Sequence, residues 1–491
     1  MSTLDEIIAK RNANYHKAKA HKRTQERHLQ ALRTLQRFEK CMAFRWNWVD
    51  LESRYPETYT AAALPAVVQA AGIGGREGPL FAAFALRKMI AGDCAPILHA
   101  ACEVGLLDQV VQWVERSDQP QLQYEAVLIA STVAASSIKY TQLLVARGLL
   151  KGLVCALESI SDRTREEALS ALANTASVCA SAADQLAELS TVKQVVERCD
   201  LSSNANKYTC WLLSTIAHGK SLEDIQHFAL PFLLAQLTAT KDLEVLIDCC
   251  QVLSCLSHKA VQALIDCDAV PRLSGLLGSC QYGVQLAALR TLGDLSTGSD
   301  GQAQALLSPC VLSPLVKMVD SGRKQIRKEA VWILSNLCVG PAGHITHLLE
   351  EGILPKVVAL VSSEDLDTCR EACWVLNNIV LHGNTQQVRT LLDTPLVFRL
   401  CQILAETRVQ VLSIALRCLK ALLQDFQERF PTNDGINPMK ELIEASGGVP
   451  YIDDLKMHGN ADLQCIASAI MKDFFPGFDC TAVSEDEDFL I

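Results

Sequence analysis

The feature that most constrains this 491-residue chain is a helical pattern that recurs about every forty residues. It is clearest in KEAVWILSNLCVG (Lys328–Gly340) and REACWVLNNIVLHG (Arg370–Gly383), whose tryptophans, Trp332 and Trp374, are 42 residues apart. Related helices occur at steps of 39 to 43 residues in both directions along the chain. Units of this length bury their apolar faces only by stacking on their neighbours, which predicts an armadillo or HEAT solenoid.

Short turns divide each repeat into helices. Gly105, Gly148 and Gly352 each precede an apolar run and can adopt the left-handed conformation that ends one helix before the next begins. Pro271 and Pro355 suit the first turn of the helix that follows. The unit is therefore a helix, a turn, a second helix, a short link and a longer helix. We count about ten units, from near residue 60 to near Phe475.

Composition excludes several classes of protein. No segment of 18 or more apolar residues is free of charges, and the N-terminus lacks the apolar core of a signal peptide. The twenty cysteines include no C-x-x-C pair, so we expect no metal and instead reduced, buried thiols, as at Cys155, Cys338 and Cys418. His344 and His347 have no paired ligands and are expected at the surface.

The charge divides the chain into a basic arm and an acidic body. Residues 1–48 contain eleven Lys or Arg and four Asp or Glu, which leaves 34 basic and 51 acidic residues in the remainder. An acidic body argues against nucleic acid and favours cationic partners, although negative charge also keeps a large helical protein in solution.

The repeated tryptophans do not lie on the apolar stripe of their helices. At 100° per residue, Ala330, Ile333, Leu334 and Leu337 form one stripe at the i, i+3, i+4, i+7 spacing. Trp332, Asn336 and Glu329 fall on the opposite side, and Trp374, Asn378 and Glu371 repeat that arrangement in the next unit. Each tryptophan could pack against the neighbouring repeat. Alternatively, the three residue types could form a ladder that binds a ligand.

Such a ladder suits an extended peptide rich in Lys or Arg. An asparagine amide both donates to and accepts from a peptide backbone. Neighbouring tryptophan rings hold the aliphatic stems of cationic side chains, with cation–π attraction of about 0.5–2 kcal/mol each. Carboxylates at the ends of these slots would bind the charged heads.

From the repeats through the C-terminal unit, the sequence resembles the importin-α family, adaptors that bind nuclear localisation signals. The two stretches above resemble its seventh and eighth repeats, ALRTLGDLSTGSDGQAQ its sixth, and NPMKELIEASGGVPYIDDL with IASAIMKDFFPG its C-terminal unit. The resemblance implies an armadillo-repeat right-handed superhelical solenoid of about ten repeats. The chain has no P-loop, H-E-x-x-H or G-x-S-x-G motif, so we expect neither enzymatic activity nor a cofactor.

The resemblance implies two peptide sites. The minor site, at repeats six to eight, is well kept, apart from Asp294 in place of an Asn. It comprises Trp332, Asn336, Trp374, Asn378, Glu329, Glu371, Asp300 and Arg290. The major site, at repeats two to four, is degraded: Leu128, Thr132, Ser170, Thr215 and Val178 replace family residues. What remains of it is Asn174, Trp211, Glu166 and Asp248.

The two ends of the chain have expected partners by the same resemblance. The arm, residues 1–55, would engage an importin-β-like carrier through Lys22, Arg23, Arg27, Arg33 and Arg37, although it lacks the family's dense basic cluster and could simply cap the first repeat. The solenoid would span residues 56–476. The acidic tail, residues 477–491, lies where the family contacts an export receptor.

Two functions remain open from the sequence. The first is a nuclear import adaptor that shuttles between cytoplasm and nucleus and binds basic cargo signals mainly at repeats six to eight. The second is an armadillo scaffold or dedicated chaperone for one partner. No nucleic-acid or membrane partner is expected.

Overall fold

The computed structural model describes residue 59 and residues 61–478, with gaps at 93, 188–192, 194, 197–204, 218–225, 364, 406–407 and 431–436. In this part of the chain the regular elements are helices and there is no strand, which agrees with the all-α prediction. The predicted arm and its basic residues lie outside the described residues, as does most of the predicted tail. The chain divides into two compact units, residues 1–256 and residues 257–491.

The first unit holds the early repeats. Its described helices are α1 (Leu64–Ala71), α2 (Glu77–Gly92), α3 (Cys94–Glu103), α4 (Leu106–Val114), α5 (Pro120–Ser136), α6 (Ile138–Ala146), α7 (Leu149–Ala156), α8 (Asp162–Val178), α9 (Ala180–Leu186), α10 (Ala205–Ile216) and α11 (Gln226–Ala239). The next helix, α12 (Leu243–Asp266), crosses the division, and its backbone leaves helical geometry at Ala260.

The second unit holds the later repeats. Its described helices are α13 (Ala269–Leu277), α14 (Tyr282–Leu295), α15 (Asp300–Ala303), α16 (Pro309–Met318), α17 (Lys324–Leu337), α18 (Ala342–Glu350), α19 (Ile353–Leu360), α20 (Leu366–His382), α21 (Thr385–Arg389), α22 (Leu396–Leu404), α23 (Val409–Arg429), α24 (Pro438–Ala445), α25 (Gly448–Asp454) and α26 (Ala461–Phe474). Short 3-10 segments lie at Ala61–Ala63, Gln304–Leu307 and Leu455–Met457.

The predicted turns form where the sequence placed them. Gly105, Gly148 and Gly352 have φ of 70°, 95° and 74°, and each directly precedes the second helix of a repeat. Asp268 has φ of 58° ahead of α13. The left-handed conformation reverses the chain direction within one residue, which is why glycine, with no Cβ to clash, dominates these positions.

The long third helix of each repeat supplies the core of the two compact units. In the first unit α2 packs on α5, α5 on α8 and α8 on α10; in the second, α14, α17, α20, α23 and α26 pack in succession. The predicted stripe of Ala330, Ile333, Leu334 and Leu337 is fully buried, as expected. Each long helix therefore buries one face between its neighbours and carries its other side chains along a second face.

Cys155 and His344 lie in surroundings other than the predicted ones. Cys338 and Cys418 are buried as predicted, but Cys155 is exposed because it points away from the buried Leu149 and Leu153 of the short helix α7. His344 is buried, not superficial, and burial lowers the pKa of its imidazole. Its ring lies against Gly340, where an added Cβ would overlap it.

The described residues also bear on membranes and metals. None of the described helices is both long and apolar enough to cross a membrane. Within the same residues, no group of three or more His, Cys, Asp or Glu is arranged to hold a metal ion.

Candidate functional site: side chains on the second face of the long helices

The two tryptophans of the repeated stretches have different surroundings. Trp332 is only 2% exposed, and its ring lies across Gly293 of the preceding long helix, where a Cβ would overlap it. Trp374 is half-buried and keeps accessible surface. The helical wheel put both rings on the side opposite the core, whereas the structure covers Trp332. For this residue the geometry matches the alternative in which the tryptophan packs against the neighbouring repeat.

The asparagines connect successive long helices. Asn378 on α20 donates from Nδ2 to the carbonyl oxygen of Ser335 on α17, at 2.7 Å. Asn336 on α17 donates to Oγ of Ser296, at 3.0 Å. In the first unit Asn174 on α8 donates to Oγ of Ser131 on α5, also at 3.0 Å. Three times, therefore, an asparagine amide reaches back about forty residues to the preceding repeat, and we call these contacts the asparagine rungs.

Two of the rungs retain an unused acceptor. Asn378 and Asn174 are almost completely buried, and among the described residues neither Oδ1 has a hydrogen-bond partner. At Asn378 the amide orientation is fixed, because only NH₂ can donate to a carbonyl oxygen. A buried amide oxygen without a donor costs about 1–3 kcal/mol. Each of these oxygens would therefore gain from an N–H donor that reaches it.

The acidic members of the predicted minor site are divided between buried and exposed positions. Glu329 is buried and lies 3.4 Å from Nε of Arg290 on the preceding long helix. Glu371 is buried, with its carboxylate 3.5 Å from the Arg370 guanidinium. Asp300 is exposed in the first turn of α15. The second unit thus brings Arg290 and Glu329 into direct contact and leaves Asp300 open to solvent.

At two positions where the sequence predicted a lost rung, the side chain that replaces the asparagine bonds to its own helix. Thr132 and Thr215 occupy asparagine positions in the first unit, and both side chains are buried. Thr132 Oγ1 donates to the carbonyl oxygen of Leu128, at 2.8 Å, and Thr215 Oγ1 donates to that of Trp211, at 2.9 Å. A hydroxyl has a single O–H, and once that donates to its own helix it cannot also donate to the preceding repeat, so these positions carry no asparagine-type rung.

The other residues of the predicted major site are mostly covered. Trp211 and Asp248 are each 3% exposed, and Asp248 accepts a long hydrogen bond, 3.4 Å, from Ser214. Glu166 is half-buried; burial raises the pKa of its carboxyl, and the neighbouring Asp162 carboxylate raises it further.

Comparison with known proteins decides the family. The armadillo/beta-catenin-like repeat model matches residues 299–339 and 341–381. Importin subunit alpha-3 of Arabidopsis thaliana is 33% identical over 425 residues, which cover 84% of this chain and 79% of that protein. Importin subunit alpha-1b of Oryza sativa subsp. japonica is 32% identical over 415 residues, which cover 82% and 76%.

The chain belongs to the importin subunit alpha family. A solved structure of an engineered protein has a TM-score of 0.70 with this chain at 24% identity, and the match covers 84% of this chain and 98% of that one. That likeness supports the fold. The armadillo-solenoid prediction is confirmed.

In this importin-α-type chain the armadillo matches coincide with the best-kept part of the ladder. Residues 299–339 include α17, and residues 341–381 include nearly all of α20. The helical wheel missed the partners of the rungs, Ser131, Ser296 and Ser335, as well as Gly293. The sequence does mark these partners. Ser131 and Ser335 each immediately precede an asparagine position of the ladder, and the equivalent residue in α14 is Gly293, so a small residue recurs at this place.

Proposed function

We propose that this chain is a nuclear import adaptor that binds Lys/Arg-rich localisation signals, chiefly along α14, α17 and α20. The observation that carries the proposal is its membership of the importin subunit alpha family over some four-fifths of its length. The asparagine rungs of the second unit support it, because the half-buried amide of Asn336 can meet the backbone of an extended peptide, whereas Asn378 is fully buried and ties α20 to α17.

The accessible members of the ladder are the ones we expect a peptide to meet first. Trp374 and Asn336 are half-buried, and Asp300 is exposed. A cationic side chain over the Trp374 ring would gain about 0.5–2 kcal/mol. Contact with Trp332 requires its covering side chains to move, because so little of the ring is exposed. In this proposal Trp332, Glu329 and Arg290 position the site, and Trp374 and Asn336 contact the ligand.

Carrier recruitment forms the second half of the proposal. The basic arm would engage an importin-β-like carrier, and the acidic tail would meet an export receptor, so that the protein shuttles between cytoplasm and nucleus. In this proposal the chain is an adaptor and catalyses no reaction. A pull-down of importin-β with and without residues 1–48 tests the arm: equal recovery of the carrier would rule out the arm as its binding site.

A second function has one observation in its favour. Thr132 and Thr215 have replaced two rungs of the first unit with hydroxyls bonded to their own helices. A chain that has lost these two rungs and keeps Asn174 in the first unit could serve one partner as a scaffold or dedicated chaperone. This alternative predicts no binding of a general basic signal by the second unit.

Titration of a fluorescently labelled, Lys-rich signal peptide separates the two functions. The import adaptor should bind it with micromolar or tighter affinity, and Trp374→Ala should weaken binding roughly five- to tenfold through the lost cation–π contact. Phe398→Ala is the matched control, since Phe398 is an exposed aromatic on the short helix α22. Absence of micromolar binding by the wild type, or an equal effect of both substitutions, would contradict the proposed site.

A further inference from the structure

The short helices of the second unit carry a charged contact between repeats. Lys356 on α19 forms an ion pair with Asp320, which follows α16. Asp320 is more than half exposed, so the pair lies at the surface. It links the second helices of two consecutive repeats, outside the ladder described above.

In the next repeat the equivalent pair of positions has a cationic residue but no acidic one. Arg399 on α22 lies 43 residues after Lys356, and Ser362 lies 42 residues after Asp320. Nη1 of Arg399 donates to Oγ of Ser362, at 3.1 Å. A serine hydroxyl therefore stands where the preceding repeat has a carboxylate, while the cationic partner is retained.

The guanidinium of Arg399 is incompletely satisfied by this hydroxyl. Its Nε is buried and, among the described residues, has no hydrogen-bond acceptor. A buried, charged donor without an acceptor is unfavourable. A phosphate offers three acceptor oxygens and a charge of about −1.5 to −2, and the fork of an arginine matches two of those oxygens at once.

The position of Ser362 suits an enzyme that adds phosphate. It is exposed in the turn after α19, and the residues that follow it are Ser363, Glu364 and Asp365. Acidic residues after the acceptor complement a kinase whose substrate groove is basic. Ser363 is a poorer substrate for phosphorylation, since it is half-buried and its Oγ accepts a hydrogen bond from the backbone N–H of Asp365, at 3.2 Å.

We propose that Ser362 is a phosphorylation site whose phosphate is held by Arg399, joining α19 to α22 as Asp320 and Lys356 join the preceding pair of repeats. In this reaction an acid-directed protein kinase transfers the terminal phosphoryl group of a nucleoside triphosphate to Oγ of Ser362. The new P–O bond replaces the bond to the nucleoside diphosphate, and the hydroxyl proton passes to the kinase's base. The proposal is independent of peptide binding.

The first test is site mapping on the full chain. After exhaustive treatment with an acid-directed kinase and ATP, mass spectrometry should find about one phosphate per chain at Ser362. Ser362→Ala should remove it and Ser363→Ala should retain it. Phosphate that appears elsewhere but not at Ser362 would overturn the assignment of the site.

The second test asks whether Arg399 holds the phosphate. Phosphoserine encoded at position 362 gives a uniform sample whose ³¹P resonance can be titrated. The phosphate's second ionisation, ordinarily near pH 6, should fall by about half a pH unit or more in the wild type relative to Arg399→Gln, because the guanidinium favours the dianion. Identical titration curves for the two proteins would overturn capture by Arg399, whatever the kinase does.

Discussion

At the scale of single residues, the most informative contact is the fit of Trp332 against Gly293. The tryptophan ring occupies the space that any other side chain at position 293 would need. Gly293 is inside α14, where glycine costs about 1 kcal/mol relative to alanine. Packing of the Trp332 ring from the next repeat against Gly293 offsets this cost.

Gly293→Ala is therefore expected to destabilise the second unit, by about 1–3 kcal/mol, because the methyl group must displace the Trp332 ring from a packed site. A lower thermal unfolding midpoint measured by circular dichroism would report this. Gly275→Ala is the matched control, since Gly275 also lies inside a helix, α13, but a Cβ there meets nothing. The control should gain about 0.4–1 kcal/mol; a similar loss in both variants would contradict the account.

Buried thiols are expected to make the free energy of unfolding decrease at alkaline pH. Burial raises the pKa of Cys250 and of Cys418 to about 12. An unfolded cysteine titrates near 8.5, so between these values the folded state binds more protons than the unfolded state. The contribution of these thiols to stability is complete below about pH 8.5 and is lost as pH rises toward 12.

The thermal midpoint should accordingly fall as pH increases above about 9. Cys418→Ala should make this decline shallower, even if it also lowers the midpoint at neutral pH. Cys465→Ala, at an exposed cysteine, should keep the wild-type slope. Equal slopes for all three proteins would show that the Cys418 thiol does not contribute to the decline.

At the scale of helices, the asparagine rungs join neighbouring long helices by side chains that the apolar stripe does not use. Asn378 is fully buried and bonds to a main-chain carbonyl, whereas Asn336 is half-buried and bonds to the hydroxyl of Ser296. A carbonyl can only accept, while a hydroxyl can also donate. The two rungs should therefore respond differently to loss of the amide.

Asn378→Asp should destabilise the second unit by about 1–3 kcal/mol, because a carboxylate cannot donate to the carbonyl of Ser335 and would be buried beside it. Asn336→Asp should cost less, because the site is half-buried and the Ser296 hydroxyl, which now donates to the carbonyl oxygen of Gly293, can exchange that bond for one to the new carboxylate. Chemical denaturation of both variants measures the difference. Equal losses would mean that the amide of Asn378 is not a specific tie between α17 and α20.

At the scale of the whole molecule, the ladder and the charge are distributed unequally along the chain. The second unit has rungs at Asn336 and Asn378, whereas Thr132 and Thr215 interrupt the first unit. Residues 49–491 carry 17 more acidic than basic residues. An acidic body that attracts cations, with a ladder concentrated at one end, should bind a basic peptide in one place.

Hydrogen exchange of the full chain with a saturating Lys-rich peptide should therefore show protection in α14, α17 and α20 and little change in α5, α8 and α10. The affinity should also fall between about 50 and 200 mM salt, as exposed charges are screened. Protection confined to α5, α8 and α10 would place the peptide in the first unit and contradict the assignment to repeats six to eight.

The repeat and the core were predictable from the sequence because both depend on local spacing. A period near forty, left-handed turns at Gly105, Gly148 and Gly352, and apolar residues at helical spacing each follow from a few neighbouring residues. For the second face of the long helices, the sequence predicted which residue types are present but not which of them are covered. The wheel could not tell that Trp332 is covered while Trp374 is not, since that depends on Gly293, some forty residues away.

The sequence by itself determined that this chain is a stack of helical repeats in the importin subunit alpha family, with its polar ladder kept mainly in the later repeats. Only the tertiary structure decided which donor meets which acceptor. Whether a threonine bonds to its own helix, an asparagine reaches Ser335 or Arg399 reaches Ser362 depends on the distance between stacked repeats. That distance is set by side chains packed between the helices, and no spacing along the chain encodes it.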